Sequence, residues 1–206
     1  MTIVMQILVL VLSVIVHEVS HGYVAYKLGD PTAKQSGRLT LNPLPHIDPV
    51  WSILLPGFLI LTGSKFVIGG AKPVPIDWRY FKNPRRDMMF VGLAGPVSNI
   101  LLAIAGLLIW KLASFAPVLQ SPGLEAFVEI NLFINAGLAA FNLIPIPPLD
   151  GSRVVLGLLP EDLAYRFARL DRYGMIIVII FVATGLYRYI FNPLIDFLMY
   201  IMKVFM

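Results

Sequence analysis

Between Ile3 and Val16 the only polar side chains are Gln6 and Ser13. A helix needs roughly 20 mostly apolar residues to cross a bilayer, and this run is the first of several that meet the requirement. Apolar spacing predicts long helices at Thr2 to Tyr26, Met88 to Phe115, Leu124 to Ile144 and Tyr173 to Ile190, with a shorter terminal helix from Leu194 onward. A further apolar run, Val50 to Thr62, is only about 13 residues and holds Pro56 and Gly57, which favours a re-entrant or broken segment over a full span. The expectation is an all-α polytopic membrane protein of about five to six membrane helices, with a re-entrant segment and a short membrane-associated β element.

With 58% hydrophobic and 14% charged residues, against roughly 25% charged in a soluble domain, the chain offers no stretch polar enough for a soluble module. Residues 1–206 are read as one integral-membrane domain. The first apolar run lacks a basic leader and a small-residue cleavage site, so it reads as a retained helix. The absence of cysteine excludes a disulfide framework and thiolate chemistry.

Of the 16 basic residues, 13 fall between the first and second long helices or after the third. If Val50 to Thr62 dips into the bilayer and returns, all of these lie on one face. The positive-inside rule then makes that face cytoplasmic and puts the N-terminus outside. The net charge of +4 is thereby a matter of topology and anionic lipid head groups, with no nucleic acid implied.

The first apolar helix ends in HEVSH, His17 to His21, which uses two of the three histidines in the chain. At 100° per residue the two imidazoles differ in direction by about 40° and can reach one ion, while Glu18, offset by about 100°, lies beside it and can hold a water. Gln6, Ser13, His17, Ser20 and His21 form one polar stripe in an otherwise apolar barrel. Histidines in a membrane also serve as hydrogen-bonded glue between helices. The cost of ionisable groups at that depth nevertheless points to function, and the spacing points to a metal. A catalytic zinc site commonly needs a third protein ligand besides a water. Glu125 and Glu129 open the third long helix near the opposite face, whereas Asp150 lies on the side of His21. Pro145, Pro147 and Pro148 end the third helix, so the chain after Asn142 is expected to run extended. Alone, Asp150-Gly151 reads as a tight turn or a helix N-cap.

The combination of HExxH with NLIPIPPLDG, Asn142 to Gly151, resembles the site-2 protease family of intramembrane zinc metalloproteases. The resemblance extends over GDPT from Gly29, GRLTLNP from Gly37, HIDP from His46, AKPVP from Ala71 and AGPVSN from Ala94, and is closest in kind to the small prokaryotic members. It implies one catalytic Zn2+ held by His17, His21 and Asp150, with Glu18 as general base. Asn142 is similar to the family asparagine that steadies the substrate or the oxyanion. The implied substrate is a single-span membrane protein or membrane peptide, cut within or near its transmembrane segment. Neither the PDZ nor the CBS domain of larger members is present in this sequence, so regulation through them is not expected.

Other features carry two readings. Gly92, Gly95, Asn99, Ala103 and Gly106 form a smooth stripe suited to close helix packing, from which Asn99 could also bond into the active-site region. Asn131, Asn135, Leu138 and Asn142 line one face as interhelical glue or as the wall of a hydrated groove. KFVIGGAKPVP, Lys65 to Pro75, suits an edge strand. With the family's support it reads as a β element that pairs with an unwound substrate, and otherwise as a surface loop. Gly69, Gly70, Pro73, Pro75 and Asn99 are the candidate substrate contacts, and His46 is structural or at most an outer partner of the site. A metal transporter would leave Glu18 without a role and shows no repeated motif. A catalytically idle membrane scaffold would not need Glu18 at all.

Overall fold

The structure, a computed structural model, describes residues 2–54, 57–58, 61–62, 69–115 and 120–205. Helix α1 spans Thr2–Lys27. The chain leaves it through Gly29, whose φ of +113° is open to glycine at little cost. The next residue, Asp30, is fully buried and gathers three donors: the Thr32 amide and hydroxyl, and the Asp77 amide at 2.7 Å. It thereby ties the short helix α2, Thr32–Gln35, to the segment that returns forty residues later.

Helix α3 spans Pro84–Ala113 and opens with proline in its first turn, where no amide donor is required. Helix α4, Pro122–Asn142, starts in the same way and is capped by Ser121, whose hydroxyl accepts from the Leu124 amide at 3.2 Å. After an irregular turn come α5, Asp150–Leu158, α6, Glu161–Ala168, a 3-10 turn at Arg169–Tyr173, α7, Gly174–Ala183, and α8, Arg188–Phe205.

Helices α1, α3 and α4 are long and apolar enough to cross a membrane. A fourth crossing results if the bent pair Glu161–Ala183 and Arg188–Leu194, angled at 65°, is one broken span. The expected unbroken helix from Tyr173 to Ile190 is therefore corrected: Gly185, at φ +74°, ends the helical run, and the terminal helix begins at Arg188 and continues through Pro193. Among the described residues three helices, or four if that pair is one span, are long and apolar enough to cross a membrane, so the expected five to six are not shown.

Packing is inverted relative to a soluble protein. Ile3, Val4, Ile7, Leu8, Leu101, Leu108 and Phe133 are exposed, while Ala25, Ala103, Ala136 and Ala139 are buried. Where lipid solvates large side chains as well as a core does, close backbone approach and interhelical hydrogen bonds hold the helices together. The small-residue stripe of α3 does this against each neighbour in turn. Gly92 admits Arg153 and the Asp150 carbonyl of α5, Gly95 faces the histidines of α1, and Gly106 makes room for Asn131 of α4.

Two expectations fall partly outside the described residues. In the apolar run Val50 to Thr62, Pro49–Leu54 forms a π-helical turn, and residues 55–56 and 59–60 lie outside the description. Of the β element from Lys65 to Pro75, residues 65–68 lie outside it. The described part contains no strand. Instead the chain from Gly70 to Asp77 is held by isolated hydrogen bonds: Gly70 donates to the Trp51 carbonyl at 3.0 Å and accepts from the Ser52 hydroxyl at 2.7 Å. Lys72 donates to the His46 carbonyl at 2.8 Å and accepts from the Arg38 guanidinium at 2.5 Å. The prolines at 73 and 75 explain why no ladder forms, because neither has an amide donor.

Candidate metal centre and active site

His17 and His21 lie on the inner face of α1, each 7% exposed. Asp150 is the first residue of α5, and it does not cap that helix: its side chain turns to the two imidazoles. His17 Nε2 and His21 Nε2 are 3.0 Å apart. Asp150 Oδ2 stands 3.1 Å from the first and 3.2 Å from the second. Three atoms from residues 4 and 129 positions apart in sequence thus converge on one point.

The protons show what that point requires. His21 Nδ1 donates to the Val91 carbonyl at 2.6 Å, and a carbonyl can only accept. His17 Nδ1 pairs at 2.6 Å with Asn99 Oδ1, also an acceptor, because the Asn99 amide nitrogen is already directed at Asn135 Oδ1 and the Ser13 carbonyl. In the neutral form both imidazoles would therefore carry the proton on Nδ1 and present bare lone pairs at Nε2. The carboxylate oxygen that faces them is buried and makes no hydrogen bond. Three acceptors turned toward one another repel unless a cation lies between them.

Zinc fits this set. Ligand atoms on a tetrahedral zinc, bound at about 2.0–2.1 Å, stand about 3.3 Å from one another, close to the three separations found. Two histidines and a carboxylate form a recognised catalytic combination that keeps a fourth position open. The space belongs to Gly95: a Cβ at this residue would lie 2.5 Å from His17 Nε2 and His21 Nε2.

Glu18 is half-buried beside the histidines, and its Oε2 accepts from the Val74 amide at 2.9 Å. The extended segment comes this close because Gly22, one turn further along α1, has no side chain. A Cβ there would meet Val74 Cγ1 and Leu39 Cδ2 at 2.8 Å.

The turn between Asn142 and Asp150 is not extended as expected. It winds through tight turns, with Ile146 donating to the Ile144 carbonyl at 2.8 Å and Leu149 to the Ile146 carbonyl at 2.9 Å. Proline's fixed φ suits turns as well as extended chain. Gly151 lets the first turn of α5 close onto the Leu143 and Ile144 backbone, which directs Asp150 at α1. Asn142 ends α4 with its amide folded back to donate to the Leu138 carbonyl at 3.0 Å.

Of the candidate substrate contacts, Asn99 is fully buried, with its carboxamide shared among His17, Ser13 and Asn135. Gly69, Gly70 and Pro73 are exposed and Pro75 is half-buried, all on the segment that reaches Glu18. His46 is buried and donates from Nε2 to the Thr40 carbonyl at 2.9 Å. Two participants escaped the sequence reading. Gly95 gave only the small-residue stripe as a signal, and the Val74 amide gave none.

Residues 111–184, which include Asn142 and Asp150, match peptidase family M50. The "Putative zinc metalloprotease YwhC" of Bacillus subtilis is 40% identical over 92% of this chain and 85% of its own length. Proteins named "Putative zinc metalloprotease Rip2" match from Mycolicibacterium smegmatis, 29% identical over 88% of this chain and 68% of theirs, and from Mycobacterium tuberculosis, 30% identical over 87% and 67%. No solved structure matches. With its His-His-Asp cluster and these likenesses along most of its length, the chain belongs to peptidase family M50, the site-2 protease family, and is a membrane-spanning zinc metallopeptidase.

Proposed function

We propose that the protein is an intramembrane endopeptidase that hydrolyses a peptide bond within or near the transmembrane segment of a single-span membrane substrate, with Glu18 as general base. The observation that carries this reading is the depth of the site. His21 and His17 lie about 9 and 15 Å along α1 from Lys27, at 1.5 Å per residue, inside the apolar length of a helix suited to crossing a bilayer.

His17, His21 and Asp150 would hold the zinc ion, which would supply Lewis acidity and make water acidic enough to ionise near neutral pH. Glu18 accepts the proton of the attacking water and delivers it to the departing amine. Asn142, at the end of α4 eight residues before Asp150, is assigned to the carbonyl oxygen as negative charge develops there; its amide would have to leave the Leu138 carbonyl to do so. Glu18 is tied to Val74 in the segment assigned to the substrate, so base and substrate share one support. The substrate adds alongside residues 69–75 as an extended strand, which also frees its scissile carbonyl from helical hydrogen bonding. The site is assigned to the cytoplasmic side, with the N-terminus outside, an orientation supported by the basic residues of the loops.

The test is cleavage of a tagged single-span substrate by purified protein in liposomes, with zinc content measured on the same samples. Glu18→Gln is expected to keep zinc and lose at least about 100-fold in rate, as removal of a general base does. Asp150→Ala is expected to lose zinc and activity together. Full zinc in Asp150→Ala would remove Asp150 from the ligand set, and zinc flux into proteoliposomes would revive the transporter reading.

A further inference from the structure

The proton on His17 Nδ1 is fixed by a line of carboxamides that runs away from the metal site. Asn99 Oδ1 takes that proton at 2.6 Å. Asn99 Nδ2 donates to Asn135 Oδ1 at 2.9 Å, and more distantly to the Ser13 carbonyl at 3.3 Å. Asn135 Nδ2 donates to Asn131 Oδ1 and to the Asn131 carbonyl, both at 3.0 Å. Asn131 Nδ2 donates to the Leu102 carbonyl of α3 at 2.8 Å. Asn99 and Asn135 are fully buried and Asn131 is 7% exposed, so water does not compete.

An asparagine side chain can turn over and exchange donor for acceptor at little steric cost. Here each amide is prevented from turning by the next. The Leu102 carbonyl accepts only, which fixes Asn131 with its nitrogen toward α3. Asn131 then offers oxygens, which fixes Asn135, and Asn135 offers oxygen, which fixes Asn99. Were Asn99 to turn over, its NH2 would face His17 Nδ1, the imidazole would carry its proton on Nε2, and the lone pair aimed at the metal would be lost.

We infer that Asn99, Asn135 and Asn131 are positioning residues that set the tautomer of His17 and hence the zinc affinity, although the hydrogen bonds of Asn135 and Asn131 reach no metal ligand. The inference rests on the metal site described above and extends it through α3 and α4. Outer partners of metal-bound histidines typically govern affinity by 10- to 100-fold. The expected order is Asn99→Leu, weakened roughly 100-fold, then Asn135→Leu, roughly tenfold, then Asn131→Ala, a few-fold.

The experiment measures zinc affinity by chelator competition for purified, monodisperse protein, with 15N-histidine NMR of the zinc-free samples. Three histidines in the chain make the spectrum assignable. The wild type is expected to show His17 protonated on Nδ1, and Asn135→Leu to show a mixture shifted toward Nε2. Asn99→Asp, which has only acceptors to offer His17, is expected to recover zinc affinity in the Asn135→Leu background. An unchanged His17 tautomer with unchanged affinity in both Asn135→Leu and Asn131→Ala would overturn the inference, as would weakened affinity that Asn99→Asp does not recover. Should Asn135→Leu fail to fold, Asn135→Ala, which removes the same acceptor from Asn99, carries the same test with and without Asn99→Asp. Loss of zinc from the wild type itself would instead overturn the metal site.

Discussion

Gly95→Ala separates the metal site from the fold. The added methyl would lie 2.5 Å from His17 Cε1, His17 Nε2 and His21 Nε2, where ordinary contact begins at 3.4 Å. The rings or α3 must therefore give way by about 0.9 Å, while zinc ligands hold their bond lengths to within about 0.2 Å. Overpacking of this kind costs about 1–3 kcal/mol, and replacing a helical glycine by alanine returns about 1 kcal/mol. The net loss of about 0–2 kcal/mol leaves a typical fold standing. Zinc affinity is different, because two of three ligand atoms are displaced together, and a loss of at least about 100-fold is expected. The assay pairs thermal unfolding with chelator competition, and Gly137→Ala serves as control, since its nearest neighbour would be Phe191 Cε1 at 3.8 Å. Zinc bound to Gly95→Ala with wild-type affinity would refute the placement of the metal between these three residues.

Two further outcomes are expected. Val74→Pro removes the amide that holds Glu18 and should lower kcat about 10- to 100-fold, the worth of one hydrogen bond to a charged group, with zinc content unchanged and Val74→Ala close to wild type. Equal kcat for Val74→Pro would show that this contact does not orient the base. Substrates with Gly or Pro near the scissile bond should be cut faster than a uniformly Leu-rich span, in a competition assay with both present. Equal rates would count against unwinding as a requirement.

The parts of the fold written into local sequence were legible. The three long helices follow from apolar length alone, and each boundary differs from the expected one by four residues or fewer. His17, Glu18 and His21 were legible because one helical turn decides their mutual direction. Asp150 was not derivable in this way: its approach to α1 depends on Gly151, Gly92 and a chain of turns, none of which has a periodic signature. The break at Gly185 was hidden by an apolar run that continues on both sides of it. The asparagine face of α4 was visible as a face. Its direction of donation was not, because that is set by a carbonyl on another helix.

Gly70 and Lys72 each turn both amide and carbonyl into the protein, and Val74 its amide, so in an extended chain residues 71, 73 and 75 would face the open side. Two of those three are proline, and that side consequently accepts at every position while donating only from Ala71. A substrate strand added here, as proposed, would therefore be gripped through its own N–H groups. Two copies of the segment laid edge to edge would meet carbonyl against carbonyl at 73 and 75. An edge of this kind would be open to the proposed substrate and closed to its own likeness, which would guard a membrane enzyme against zipping to its neighbours.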